Sequence, residues 1–425
     1  MKRMSEKYQS YVRILQEELI PAMGCTEPIA LAFAAAKARE VLGKLPKRID
    51  ICVSNNIIKN VKSVIVPNTG GLKGIQAAVT AGIISGKSEK CLEVISEVSE
   101  EEKQQIRKYL QNTEFQITVS DSPEIFDIVI TAWAEGSCAV VRIARYHTNI
   151  VLIKKDEEIL FEKELSEVGK TDKPDTDTLN LEDILDFART FELSDLEEIL
   201  SRQSQYNMAI AEEGMCHKYG ANIGKTMQEV YGNDVRNRAI ALAAAGSDAR
   251  MSGCELPVVI NSGSGNQGMT VSIPVIVYAR EFKVSEEEMY RALALSNLIA
   301  IHTKSGIGRL SAYCGAVTAG CAAGCGIAYL YGGGYTEIAH TLVNSLAIVS
   351  GIICDGAKAS CAAKIASSVE AGILGYHMFM NGQEFKYGDG IVNCGVEETI
   401  QNIYRLGKEG MKETDKEIVK IMLSE

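Results

Sequence analysis

Cys314–Gly334 reads CGAVTAGCAAGCGIAYLYGGG. Nearly every side chain in it is small, and the apolar residues do not alternate with polar ones as a half-buried strand requires. Its apolar part, Ala316–Leu330, is also shorter than the roughly 20 residues that cross a bilayer, and it is rich in Ala and Gly rather than Leu. It reads as a buried helix whose backbone can approach its neighbours closely. The same composition returns in 236–254 (RNRAIALAAAGSDARMSGC), 290–304 (YRALALSNLIAIHTK) and 340–375. The chain from Leu181 onward is therefore expected to be a tightly packed helical bundle.

Working outward, residues 5–44 give two more helices, broken at Gly24-Cys25-Thr26-Glu27-Pro28, and the second of these, from Pro28, is again Ala-rich. The segment from 46 to 164 differs. RIDICVSNN (48–56), VKSVIVPN (61–68), EFQITVS (114–120), FDIVITAWAE (126–135), CAVVRIARYH (138–147), NIVLIKK (149–155) and EILFEKE (158–164) read as strands. GLKGIQAAVTAGIISG (71–86) and SEEEKQQIRKYLQ (99–111) read as helices, the first ended by Gly86 and the second opened by a capping serine with acids behind it. VGKTDKPDTDTLN (168–180) is linker-like. The expected fold class is α+β: a mostly helical, Ala/Gly-rich catalytic bundle with a smaller inserted α+β domain. Residues 1–44 would pack on the bundle, 45–170 form the insertion, 171–192 the linker and 193–425 the catalytic domain.

The bulk numbers narrow the function. A net charge of −11 over 425 residues speaks against nucleic acid as partner, because phosphate binding needs basic surface. No long apolar span or signal-peptide pattern is visible, so a cytoplasmic protein without a membrane partner is expected. Twelve cysteines are then not a disulfide framework; most must be small core residues, and some are not.

Three glycine-containing loops carry polar groups. NSGSGNQGMT (261–270) lies between two strand-like apolar runs, and its free backbone could form a nest for a carboxylate or phosphate. VPNTGGLKG (66–74) offers Asn68 and Thr69, and HTKSGIGRL (302–310) offers His302, Lys304 and Arg309. Cysteine spacing is the sharper feature. Cys314 follows the third loop, and ICDGAKASC brings Cys354 and Cys361 together, the latter at the start of an expected helix whose amides favour a thiolate. Three thiolates and one open iron position turn a [4Fe–4S] cluster into a Lewis acid. Zinc is disfavoured by five histidines and no CxxC pair. Cys314, Cys321 and Cys325 would share a helix face and could be a different ligand set, or simply core.

GCTEP, NSGSGNQG, SAYCGAVTAGC and ICDGAKASC, in this order, resemble the cysteine desulfidase family, the single-chain relative of the alpha chain of iron–sulfur L-serine dehydratases. The resemblance implies β-elimination on a free amino acid without pyridoxal phosphate, giving pyruvate and ammonia, with sulfide from L-cysteine. It implies that Cys314, Cys354 and Cys361 hold a [4Fe–4S] cluster, and that Cys25 is either the base for the α-proton or a fourth ligand. Thr26 and Glu27 cap the following helix, or Glu27 faces the substrate ammonium. Ser262, Ser264, Gly265, Asn266 and Gln267 would hold the substrate carboxylate from one side, Asn68 and Thr69 from another. Lys304 would assist with the anion, and His302 is a second candidate base. L-Serine is the alternative substrate. An iron–sulfur sensor without turnover and a pyridoxal-phosphate enzyme using Lys73 or Lys304 are the rival readings. Small-residue helix faces suit a homodimer.

Overall fold

The computed structural model describes residues 1–423 except 4, 166–175 and 309; Arg309 and most of the expected linker thus lie outside the described residues. The fold is α+β with a helical majority. The strands β2 (Arg48–Val53), β3 (Glu114–Val119), β4 (Asp127–Ala134), β5 (Ser137–Ala144), β6 (Ile150–Lys155) and β7 (Glu158–Glu162) form one sheet in the order β3-β2-β4-β5-β6-β7. Only the β2–β3 pair is parallel. Period-2 alternation sets its buried face: Ile49, Ile51, Val53, Ile128, Ile130, Ala132, Val141 and Ile143 all point inward and are fully buried.

Helix α1 (Glu6–Glu18) packs on the bundle, where Tyr8 and Tyr11 set their rings 5.3 Å from Phe187. Helix α2 (Thr26–Leu42) does not follow it. Its apolar surface lies across β4 and β5 and against α4 (Gly74–Ser85), so it is the helical layer of the sheet unit rather than part of the bundle. The reason is steric: a Cβ at Gly82 would strike the carbonyl of Ala32, so this glycine lets α2 and α4 touch backbone to backbone. Helix α3 (Asn55–Val61) follows β2, and α5 (Glu100–Asn112) opens with a complete capping box between Ser99 and Glu102.

The remaining helices are α6 (Leu181–Thr190), α7 (Glu197–Cys216), α8 (Ile223–Tyr231), α9 (Val235–Met251), α10 (Gly265–Phe282), α11 (Glu286–Ser305), α12 (Gly315–Leu330), α13 (Tyr335–Val349), α14 (Cys361–Met380), α15 (Val396–Arg405) and α16 (Lys412–Leu423). Helix α6 falls inside the stretch expected to be linker. A two-stranded ribbon ties the halves together: β1 (Pro21–Met23) pairs antiparallel with β8 (Pro257–Val259). One contiguous apolar core runs through sheet and bundle.

Two strand expectations fail. Residues 61–68 leave α3 as a turn with a single isolated bridge, Ile65 to Lys73. VSIPVIVYA belongs to α10, although Val, Ile and an internal proline read as strand. Burial on every side of this helix overrides propensity, and Pro274 costs only the hydrogen bond that the Thr270 carbonyl would have received. No helix among the described residues is long and apolar enough to cross a membrane.

Candidate active site

Three helices begin at a cysteine. Cys25 is the N-cap of α2, Cys314 the N-cap of α12, and Cys361 the first residue of α14. Helix N-termini carry partial positive charge and unpaired amides, which offset part of what burial costs an anionic sulfur at each point.

The GCTEP turn is built for close approach. Gly24 sits at φ +64, and a Cβ there would come within 2.6 Å of Pro67, so the turn rests directly on the 66–69 loop. Glu27 is a buried carboxylate clasped by three side-chain donors: the Cys25 thiol at 3.2 Å, the Thr26 hydroxyl at 3.1 Å and Asn60 Nδ2 at 3.2 Å. The Thr26 hydroxyl also reaches the Gly263 carbonyl at 3.0 Å, which joins this turn to the NSGSGNQG loop. Neither Thr26 nor Glu27 is a cap; together with Cys25 they form a small polar knot. Burial, then the Glu27 charge, push the Cys25 thiol well above its usual range, and the Arg250 charge opposes them.

The other thiols are brought together by short-range pairing of two loops. Tyr313 bridges Ile353, the Cys314 amide donates to the Ile352 carbonyl at 3.2 Å, and the Cys354 amide donates to the Ala312 carbonyl at 2.6 Å. Cys361 lies on the same apolar patch as Cys25, Val64 and Met251. Burial pushes Cys314 up to about 12, with the Cys354 and Cys361 charges adding to it. Cys361 is raised by burial and then by Cys354. Lys304 stands beside this group: burial lowers its ammonium to about 8, against the Cys354 and Cys314 charges. Lys364 reaches the Ile353 carbonyl at 2.8 Å and pairs with Asp355.

Among the described residues no three His, Cys, Asp or Glu side chains are gathered tightly enough to hold one metal ion. A cluster of several irons is wider and takes each thiolate on a different iron. Cys321 and Cys325 are fully buried within α12, packed as small core residues.

The glycine loops separate into supporting and facing parts. Asn68 donates to the Ile95 carbonyl at 2.8 Å and the Thr69 hydroxyl to the Val66 carbonyl at 2.7 Å, so both brace their own loop. The Ser262 hydroxyl bonds Asn261 Oδ1 at 2.8 Å, and Asn261 in turn donates to Asn297 Oδ1 at 2.9 Å in a buried amide network. Ser264 is the N-cap of α10, and its side chain makes no capping bond. Gln267 packs on Gly315, beside Cys314, where any Cβ would strike the amide group. His302 is engaged by α15, its Nε2 2.7 Å from Glu397 and its backbone carbonyl bonded by Tyr404. Arg250, which sequence reasoning missed, is almost wholly buried and donates to Asn266 Oδ1 at 3.1 Å. The signal for it was a lone cation in the run AAAGSDARMSGC, otherwise made of residues suited to burial.

The profile of the family described as serine dehydratase alpha chain matches residues 89–420. A UPF0597 protein of Desulfitobacterium hafniense is 60% identical over 425 residues, covering 100% of this chain and 99% of its own length. UPF0597 proteins of Lachnoclostridium phytofermentans and Treponema denticola are 50% and 48% identical, covering 98% and 99% of this chain and 100% and 99% of their own. With the profile spanning most of the chain, the chain belongs to the serine dehydratase alpha chain family.

Proposed function

We propose that the chain is a lyase of the serine dehydratase type that eliminates the β-substituent of a small free amino acid, with L-cysteine as the preferred substrate and L-serine as the alternative. What supports this reading is that Cys314 and Cys361 at helix N-termini and Cys354 in the loop before α14 lie close enough to affect one another's charge, with Cys361 on the apolar patch that also holds Cys25. Those three thiols would hold a [4Fe–4S] cluster, and its open iron would supply Lewis-acid pull on the β-sulfur or β-hydroxyl.

The chain's own residues supply the rest. Glu27 orients the Cys25 thiol by a hydrogen bond, and the Arg250 charge favours the thiolate that would take the substrate α-proton. Thr26 and Asn60 fix the Glu27 carboxylate. Lys304 keeps a positive charge near the leaving group at neutral pH. The eliminated product hydrolyses to pyruvate and ammonia in water.

Anaerobic reconstitution with iron and sulfide, followed by L-cysteine or L-serine, tests the reading. Pyruvate that forms only in the reconstituted protein, with sulfide from L-cysteine, is expected. Iron binding with neither amino acid consumed would put the sensor reading first, and turnover dependent on pyridoxal phosphate would overturn the cluster assignment.

A further inference from the structure

Arg250 ends α9 as one of the largest fully buried side chains, 2% exposed. A guanidinium cannot shed its proton in a protein, so burial leaves it charged and in need of an anion or of acceptors for its five N–H groups. Two arginines elsewhere in this molecule are paired with a carboxylate through one edge of the group. Arg48 turns Nε and Nη2 onto the two oxygens of Asp50 at 2.9 and 3.1 Å. Arg145 turns the same pair onto Glu124 at 3.0 and 2.9 Å. These two nitrogens form one edge of the planar group and match the spacing of a carboxylate. At Arg250, Nε and Nη2 are the two atoms with no hydrogen-bond partner, and only Nη1 is engaged, with Asn266.

The backbone of α10 comes close to this guanidinium. A Cβ at Gly265 would lie 2.5 Å from Arg250 Nε and 2.8 Å from Cζ, so a side chain there would displace the guanidinium. Gly265 is the first residue of the 18-residue helix α10, whose N-cap Ser264 makes no side-chain bond to the helix amides. Uncapped amides of a long helix add a second set of donors for an anion. Cys25 feels the Arg250 charge, and Met251, next in sequence, packs on the Cys25–Cys361 patch. The unpaired edge thus belongs to the same site as the thiols.

We propose that Arg250 receives the α-carboxylate of the substrate through its Nε–Nη2 edge, with the first turn of α10 as the second donor. This rests on the lyase reading of the site and deepens it. It makes the site selective for amino acids with a free carboxylate over their amides, esters or peptides. A neutral amide brings no charge and one acceptor, leaving a buried cation uncompensated.

The test needs neither cluster nor turnover. L-Alanine carries the carboxylate and the ammonium but no leaving group, and L-alaninamide replaces the carboxylate with a neutral amide that has a single acceptor oxygen. Binding to the purified full chain is measured by titration calorimetry and by the shift in melting temperature. L-Alanine is expected to bind at least about 100-fold more tightly than L-alaninamide. Arg250→Gln should lose at least about 30-fold in L-alanine affinity, and Arg250→Lys should recover part of it. Asn266→Asp keeps the arginine and gives it an internal counter-ion; it should fold and still bind L-alanine at least about tenfold more weakly. Equal binding of acid and amide, no binding of either, or L-alanine affinity unchanged in Arg250→Gln and Asn266→Asp would overturn the assignment. Arg250-dependent L-alanine binding in a reconstituted protein that forms no pyruvate would leave the carboxylate site standing and remove the lyase reading.

Discussion

At Asp248, two residues before the buried arginine, the fold holds a carboxyl that is 1% exposed. Its Oδ2 accepts the Gly224 amide at 3.0 Å at the start of α8, while Oδ1 has no partner. Burial raises its pKa from 3.8 to about 6. The folded state therefore binds this proton more tightly than the unfolded one. The stability it contributes is full below pH 3.8 and is lost as pH rises through about 6. A rise of that size corresponds to about 3 kcal/mol. Asp248→Asn removes the titration, so the stability difference between variant and wild type in urea unfolding should grow in the variant's favour from pH 4 to pH 6.5 and stay level above. A difference that is flat across that range would show that Asp248 titrates normally. The cysteines divide at the same scale. Cys354→Ala should abolish both the visible absorbance of a reconstituted cluster and turnover. Cys25→Ala should keep most of the absorbance and lose turnover, because its thiol bonds Glu27. Equal loss of iron in both variants would make Cys25 a ligand. Arg250 shows why this scale is only partly legible in sequence. A single cation in a helix reads as surface, and only tertiary burial reveals that its partner is missing. His302 shows the converse: its partner Glu397 lies 95 residues downstream, and nothing near either residue announces the pairing.

Among the elements, the α12–α14 contact decides whether the cysteines meet, since the two helices start at Gly315 and Cys361. A Cβ at Gly372 would strike the Gly320 carbonyl, and a Cβ at Gly324 would strike the Gly372 carbonyl. Backbone stands on both sides, so no flexible side chain can give way. Gly372→Ala should cost about 1–3 kcal/mol by forcing the helices apart, and a reconstituted cluster should lose iron faster in that variant. Gly351→Ala is the control, because a Cβ there meets nothing within 4 Å; thermal unfolding and iron-release rates should leave it near wild type. Comparable destabilisation in both variants would point to a general intolerance of added methyls. This contact was legible in the sequence, since runs of Ala, Gly and Ser admit close helices whatever their partners. Helix α10 was not, because Val, Ile and Pro274 carry strand and breaker signals that only its buried surroundings override.

Across the whole molecule, the site draws on segments that no single part of the chain contains. Cys25 leads into a helix packed on the sheet, Arg250 and Gly265 come from the bundle, and the β1–β8 ribbon holds these parts in register. The sequence divided the chain into bundle and insertion by composition, a local property, whereas α2 resembles the bundle in composition and packs with the sheet. A shared core predicts that the two units unfold together. The chain has one tryptophan, Trp133, on β4, its Nε1 bonded to Asp50 at 2.9 Å, so fluorescence reports on the sheet. Far-ultraviolet circular dichroism is dominated by the helices, most of which lie beyond the sheet in sequence. In urea the two signals should trace one transition with the same midpoint, and Cys25 should become reactive to a thiol reagent over the same range, since it sits where the units join. A tryptophan transition at lower urea than the helical one would mean that the sheet opens first, carrying α2 and Cys25 away from the other thiols while the bundle persists.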